Sequence, residues 1–259
     1  MNIVKRWKVA AAAVAFSGMP SLAIAADANL QPDDFVGISF WLISMALVAS
    51  TVFFFIERDR VDAKWKTSLT VSGLVTLVAA VHYFYMRDVW VSTGETPTVY
   101  RYIDWLITVP LQVVEFYLIM AAIGAATFAM FRNLMAASIV MLVAGFFGES
   151  GAWDLFGGSS TEIWWVIGMA GWVYILYALW AGDVKEASES GSDGVQFAFT
   201  SMRWIVSVGW AIYPIGYMMG NDMLDGFNAD DMNIIYNIAD LVNKTAFGMM
   251  VWYAAKMDS

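Results

Sequence analysis

Two ionisable side chains, Asp240 and Lys244, stand in the middle of the apolar stretch NIADLVNKTAFGMMVWYAAK. An ion at bilayer depth costs about 2.5–3.5 kcal/mol even on the lenient insertion scale. Their i, i+4 spacing puts both on one face of a helix. A second stretch, YRYIDWLITVPLQVVEFYLI, carries Arg101, Asp104 and Glu115. Asp104 and Glu115 are 11 residues apart, close to three whole turns, so they share a face roughly 16 Å apart along the axis. Thr108 lies one turn beyond Asp104 and Gln112 one turn further, which makes a polar ladder, with Arg101 near its outer end.

Three chemistries fit these groups. A lysine amine can condense with a carbonyl ligand to form a Schiff base, for which Asp104 and Asp240 are counter-ions at the right depth. Two carboxylates along one helix can hand on a proton, since intramembrane carboxylates mark proton relays. The plainest alternative is that Lys244 only neutralises Asp240, because buried charges are generally paired.

The elements that must position these groups are membrane helices. Seven apolar runs, 35–56, 67–86, 99–123, 133–147, 162–181, 197–219 and 232–257, each approach the roughly 20 residues that a helical span needs. The fourth is the shortest. The expected fold is therefore an all-α membrane protein, a seven-transmembrane-helix bundle in one domain, 26–259. Residues 1–25 read as a cleavable signal peptide: Lys5, Arg6 and Lys8 precede an apolar run, and Ala23 and Ala25 mark the cleavage site. The stretch KEASESGSDG, 185–194, reads as a mobile polar loop. Arg58, Arg60, Lys64, Lys66, Arg132 and Lys185 all fall in odd-numbered loops. Positive-inside then predicts an external mature N-terminus and a cytoplasmic C-terminus.

Composition agrees. Hydrophobic residues make up 60% of the 259 and charged ones only 14%, well under the usual quarter for soluble domains. A net charge of -9 argues against a nucleic-acid partner. With no cysteine there is no disulfide scaffold or thiol catalysis, and a single histidine, His82, precludes a multi-histidine metal site. Nothing supports an enzyme.

The motifs RYIDWLITVPL and NIADLVNK, with VHYFYMR and GWAIYPIGY, resemble those of the microbial rhodopsins, and their order is similar to that of the proteorhodopsin branch. The resemblance covers essentially the whole mature chain. It implies all-trans-retinal covalently bound to Lys244 as a protonated Schiff base, in a bacterial inner membrane. Asp104 matches the primary counter-ion and proton acceptor, Asp240 the second counter-ion, Glu115 the cytoplasmic-side proton donor, and Arg101 the arginine that tunes the acceptor. His82 matches the histidine that partners the acceptor, and Thr108 completes the Asp104–Thr108–Glu115 pattern. Trp105, Trp210, Tyr213, Pro214 and Tyr236 match pocket positions, with Pro214 expected to kink helix six from within.

Gln112 matches the position where blue-absorbing members carry glutamine and green-absorbing ones leucine. The implied activity is a blue-absorbing, light-driven outward proton pump. The alternatives are a slow-cycling photosensor with a membrane partner, a pump for another ion, or a seven-helix receptor without photochemistry. Related pumps form rings, so a pentamer or hexamer is implied, with Trp41 and His82 as interface candidates. The residues leave open whether a carotenoid also binds.

Overall fold

A computed structural model describes residues 30–259; the expected signal peptide lies outside them. The first helix, α1 (Phe35–Glu57), starts where the Asp34 carboxylate accepts from the Gly37 amide at 2.8 Å. Such a cap satisfies one of the free N–H groups that open every helix. There follow α2 (Lys66–Thr93), α3 (Thr98–Ala122), α4 (Phe128–Ser150) and α5 (Ser160–Trp180). Gly94, at φ 71°, closes α2 in the left-handed region that suits glycine. The fourth helix has 23 residues, longer than its apolar run, because the Thr127 hydroxyl caps it upstream by accepting from Met130.

Two later rods are composite. The sixth consists of α7 (Asp193–Trp204), a π-helical turn at Ile205–Gly209, and α8 (Ile212–Gly220). The seventh consists of α9 (Ala229–Leu241), a π-helical turn at Val242–Ala246, and α10 (Phe247–Met257). Between α5 and α7, where the sequence suggests a loop, Asp183–Ser188 forms a short helix, α6. Val184, 1% exposed, anchors it in the core, and Lys185 pairs with Glu189 one turn on.

The rods close a ring. Each helix packs on the next, α5 meets the sixth rod, the sixth meets the seventh, and the seventh returns to α1 and α2. Five of the helices are long and apolar enough to cross a membrane whole; the sixth and seventh reach comparable length only across their π-turns. Large apolar side chains such as Leu42, Phe55, Val81, Ile107, Val166 and Val208 face outward. Arg101, Asp104, Thr108, Gln112, Glu115, Asp240 and Lys244 are all buried. An apolar exterior around polar groups that satisfy one another is the pattern a bilayer demands.

Pro214 does not sit in the middle of a helix. It is in the first turn of α8, just past the π-turn of the sixth rod. The interruption falls four residues earlier, at Trp210, whose carbonyl a regular helix would pair with the N–H that proline lacks. That carbonyl accepts instead from Tyr213, at 3.1 Å, and the Trp210 amide reaches back to Ile205. The break in the sixth rod is thus the proline's effect, displaced by one turn.

Candidate functional site

Lys244 lies inside the π-turn of the seventh rod. A π-turn inserts one residue into the helical register, and such turns are frequent at functional sites. The lysine is 3% exposed. Its Nζ is 2.9 Å from Asp104 Oδ2 and 2.8 Å from Asp240 Oδ2. The amine therefore bridges both carboxylates that the sequence singles out, rather than pairing with Asp240 alone. Both are fully buried, so each charge depends on the others for stability.

The two carboxylates are held differently. Asp240 accepts from the Tyr83 hydroxyl at 2.8 Å, from the Tyr213 hydroxyl at 2.7 Å, and from the Trp105 indole at 3.1 Å, besides Lys244. Those four donors fix it as an anion. Among the described residues, Asp104 accepts from Lys244 only, and its Oδ1 has no hydrogen-bond partner. His82 Nδ1 stands 4.0 Å from that oxygen and makes its 2.9 Å contact with the Val78 carbonyl instead. The histidine is beside Asp104 without hydrogen-bonding to it. Thr108, one turn on, donates to the Asp104 backbone carbonyl at 3.0 Å.

Arg101 closes the site at the end of α3. It is fully buried, yet it makes no ion pair among the described residues. Its Nη atoms donate to Asn237 at 3.1 Å, Asn233 at 2.9 Å and Tyr83 at 3.4 Å. The guanidinium also lies over the ring of Tyr236, 5.2 Å from its centroid. Tyr83, which contacts both Arg101 and Asp240, is a site residue that sequence reasoning missed. It adjoins His82 in VHYFYMR, but only the approach of α2 to α9 reveals its role.

Towards the other end of α3, Glu115 is fully buried and apart from this cluster. Ser72 donates to its Oε1 at 3.3 Å, while Oε2 has no partner, and no cation among the described residues pairs with it. Between the two carboxyls, Gln112 donates to the Asn243 carbonyl at 3.2 Å. That carbonyl belongs to the residue before Lys244, so Gln112 addresses the π-turn directly.

A cavity of about 90 Å³ opens beside the charged cluster, walled by Trp105, Trp210, Tyr213, Pro214 and Tyr236, with Trp165 and Trp172 further along. That space exceeds what a single water needs, and its walls are overwhelmingly apolar. Trp105 and Tyr213 line it and also donate to Asp240, which joins the slot to the carboxylate that holds Lys244. Trp105, Trp210, Tyr213, Pro214 and Tyr236 all face this one cavity. An aromatic slot beside the carboxylate that holds Lys244 suits a flat apolar ligand.

This buried lysine between two carboxylates, in a ring of seven helices, has known counterparts. Residues 34–257 match the family model for bacteriorhodopsin-like proteins, and the chain belongs to that family. It is 52% identical over 244 residues to the green-light absorbing proteorhodopsin of Gamma-proteobacterium EBAC31A08, covering 93% of this chain and 94% of that one. To the blue-light absorbing proteorhodopsin of Gamma-proteobacterium Hot 75m4 it is also 52% identical, over 242 residues, with the same coverages. The crystal structure of blue light-absorbing proteorhodopsin from Med12 is 55% identical, with TM-score 0.75, over 87% of this chain and 100% of that one. Green and blue relatives are equally similar, so overall identity does not choose between them.

Proposed function

We propose that this protein is a light-driven outward proton pump with all-trans-retinal on Lys244, absorbing in the blue. The observation that carries the reading is the Lys244 nitrogen, bridged between Asp104 and Asp240 while a third buried carboxyl, Glu115, stands apart. The proteorhodopsin names of its relatives support it. When bound as a protonated Schiff base, retinal would supply light absorption and a change in the direction of the N–H bond.

The chain's own residues then divide the labour. Asp240, with its four donors, has little reason to take a proton. Asp104 has one partner and a bare oxygen, so it accepts the proton from the Lys244 nitrogen once that partner turns away. Thr108 steadies the Asp104 backbone, and His82 stands near enough to respond to the acid that forms. Burying an unpaired carboxylate costs several kcal/mol, so Glu115 rests as the neutral acid and gives its proton to the nitrogen, with the Ser72 hydroxyl beside it. With the first, third and fifth loops in the cytoplasm, Glu115 faces inward and Asp104 outward. Net movement is out of the cell.

The blue assignment rests on Gln112. A side-chain amide beside the nitrogen end of the chromophore favours the ground-state charge distribution and widens the optical gap.

The direct test is external pH in unbuffered, illuminated cells supplied with retinal, beside Lys244→Ala. Acidification that disappears in the variant and with a protonophore establishes the pump. Coloured cells that leave the pH unchanged would overturn it in favour of a sensor.

A further inference from the structure

Trp165 and Trp172 stand seven residues apart on α5, two turns along one face, and both wall the aromatic cavity. Each indole also donates to a main-chain carbonyl of the sixth rod, Trp165 to Pro214 at 3.2 Å and Trp172 to Val206 at 3.0 Å. Pro214 lies in α8 and Val206 in the π-turn. Neither N–H takes part in the proton path.

The Val206 carbonyl has a particular need of a donor. A regular helix would pair it with the Trp210 amide, four residues on. The π-turn sends that amide to Ile205 instead, at 3.1 Å. Val206 is fully buried, and a membrane interior offers no water to a carbonyl that a change of register leaves over. The Trp172 indole supplies the missing hydrogen. A phenylalanine or leucine in its place could wall the cavity but not donate. From the other side, Asn243, next to Lys244, meets the Gly209 carbonyl of the same turn. Trp210, the first residue past the turn, is itself a wall of the cavity, so the register decides where that ring stands.

Resting on the reading of this cavity as a retinal site, we propose that Trp172 is a positioning residue: its indole N–H holds the sixth rod in the π-register that sets Trp210 against the chromophore. Without that N–H, the donor left to the Val206 carbonyl along its own chain is the Trp210 amide. The turn then shifts towards the regular register and draws Trp210 with it.

The test is magic-angle-spinning NMR of the full retinal-loaded chain in lipid, with isotope-labelled tryptophan, beside its dark absorption spectrum. In Trp172→Phe, the Trp210 backbone amide resonance and the absorption maximum should both shift. Trp165→Phe removes a donor outside the π-turn and should leave the Trp210 amide where it is. Replacing Trp172 by benzothienylalanine keeps the ring shape and puts sulfur in place of the N–H; it should reproduce the Trp172→Phe shift. An unmoved Trp210 amide in the benzothienylalanine chain overturns the proposal, and so does an equal shift in Trp165→Phe. An unmodified chain that takes up no retinal overturns the retinal reading instead, while the Trp210 amide still reports the register in the ligand-free protein.

Discussion

Asn243 joins the two interrupted rods: its Nδ2 donates to the Gly209 carbonyl at 2.9 Å, so the π-turn that carries Lys244 is fastened to the π-turn before Trp210. A Cβ on Gly209 would run into the Asn243 side-chain oxygen. Gly209→Ala should therefore cost about 1–3 kcal/mol, the usual penalty for overpacking, read as a lower temperature of thermal bleaching. Adding Asn243→Ala removes the obstacle, so the double variant should lose less than the sum of the single losses. Strictly additive losses would show that the two turns are not coupled.

Gln112→Leu removes the amide that contacts the Asn243 carbonyl beside Lys244. Absorption should move to longer wavelength with the chromophore still attached. An unmoved maximum would end the blue assignment and leave the retinal site intact.

The two carboxyls on α3 should fail in different ways. Asp104→Asn leaves Lys244 paired with Asp240 but without an acceptor, so pigment forms and acidification is lost. Glu115→Gln should keep acceptance at Asp104 and slow the return to the dark state by about 10²–10⁴-fold, the usual worth of a placed acid. Flash absorbance separates the two, and normal recovery in Glu115→Gln would remove it as donor.

Tyr83 makes a stability prediction. Tyr83→Phe takes one donor from Asp240 and one contact from Arg101. Hydrogen bonds to charged groups are worth about 1.5–3 kcal/mol, so bleaching should begin at a lower temperature. Tyr213 and Trp105 still hold Asp240, so pigment should form. A variant as stable as the parent would show that the phenol is a bystander.

At the C-terminal end of α10, Asp258 accepts from Ser192 at 2.6 Å, Lys64 at 2.9 Å and the Gly194 amide at 3.2 Å. Burial pushes this carboxyl up, but the hydrogen bonds from Ser192 and Lys64, the Lys64 charge and the Gly194 amide outweigh it and hold it below its ordinary value. A carboxyl lowered by folding stabilises above its unfolded value, about 4, and loses that contribution as pH falls through the folded value. Asp258→Asn should therefore be less stable than the parent at neutral pH, with the gap closing below about pH 4. A gap that persists in acid would assign the loss to packing.

Most of the bundle can be read from the chain because a bilayer demands long apolar runs, and an ion within one stands out. Lys244, Asp104, Asp240 and Glu115 are legible for that reason. The π-turns are not, since one inserted residue barely disturbs an apolar pattern. Tyr83 escapes notice for another reason. A tyrosine among aromatics looks ordinary until its hydroxyl reaches Asp240 on α9. Asp183–Ser188 looks like a loop by composition, and it is helical because Val184 finds the core.

Along α3, the two polar side chains between Asp104 and Glu115 are already engaged: Thr108 donates to a backbone carbonyl of its own helix and Gln112 to that of Asn243. Neither donor is free to pass a proton straight down the helix. On the pump reading, the stretch acts as an insulator and the proton crosses it by way of the Lys244 nitrogen. Each proton placed outside stores about 2.3 kcal/mol per 100 mV. On the outward-pump reading, that store is worth having in darkness only if it does not leak back, and these two committed donors oppose such a leak.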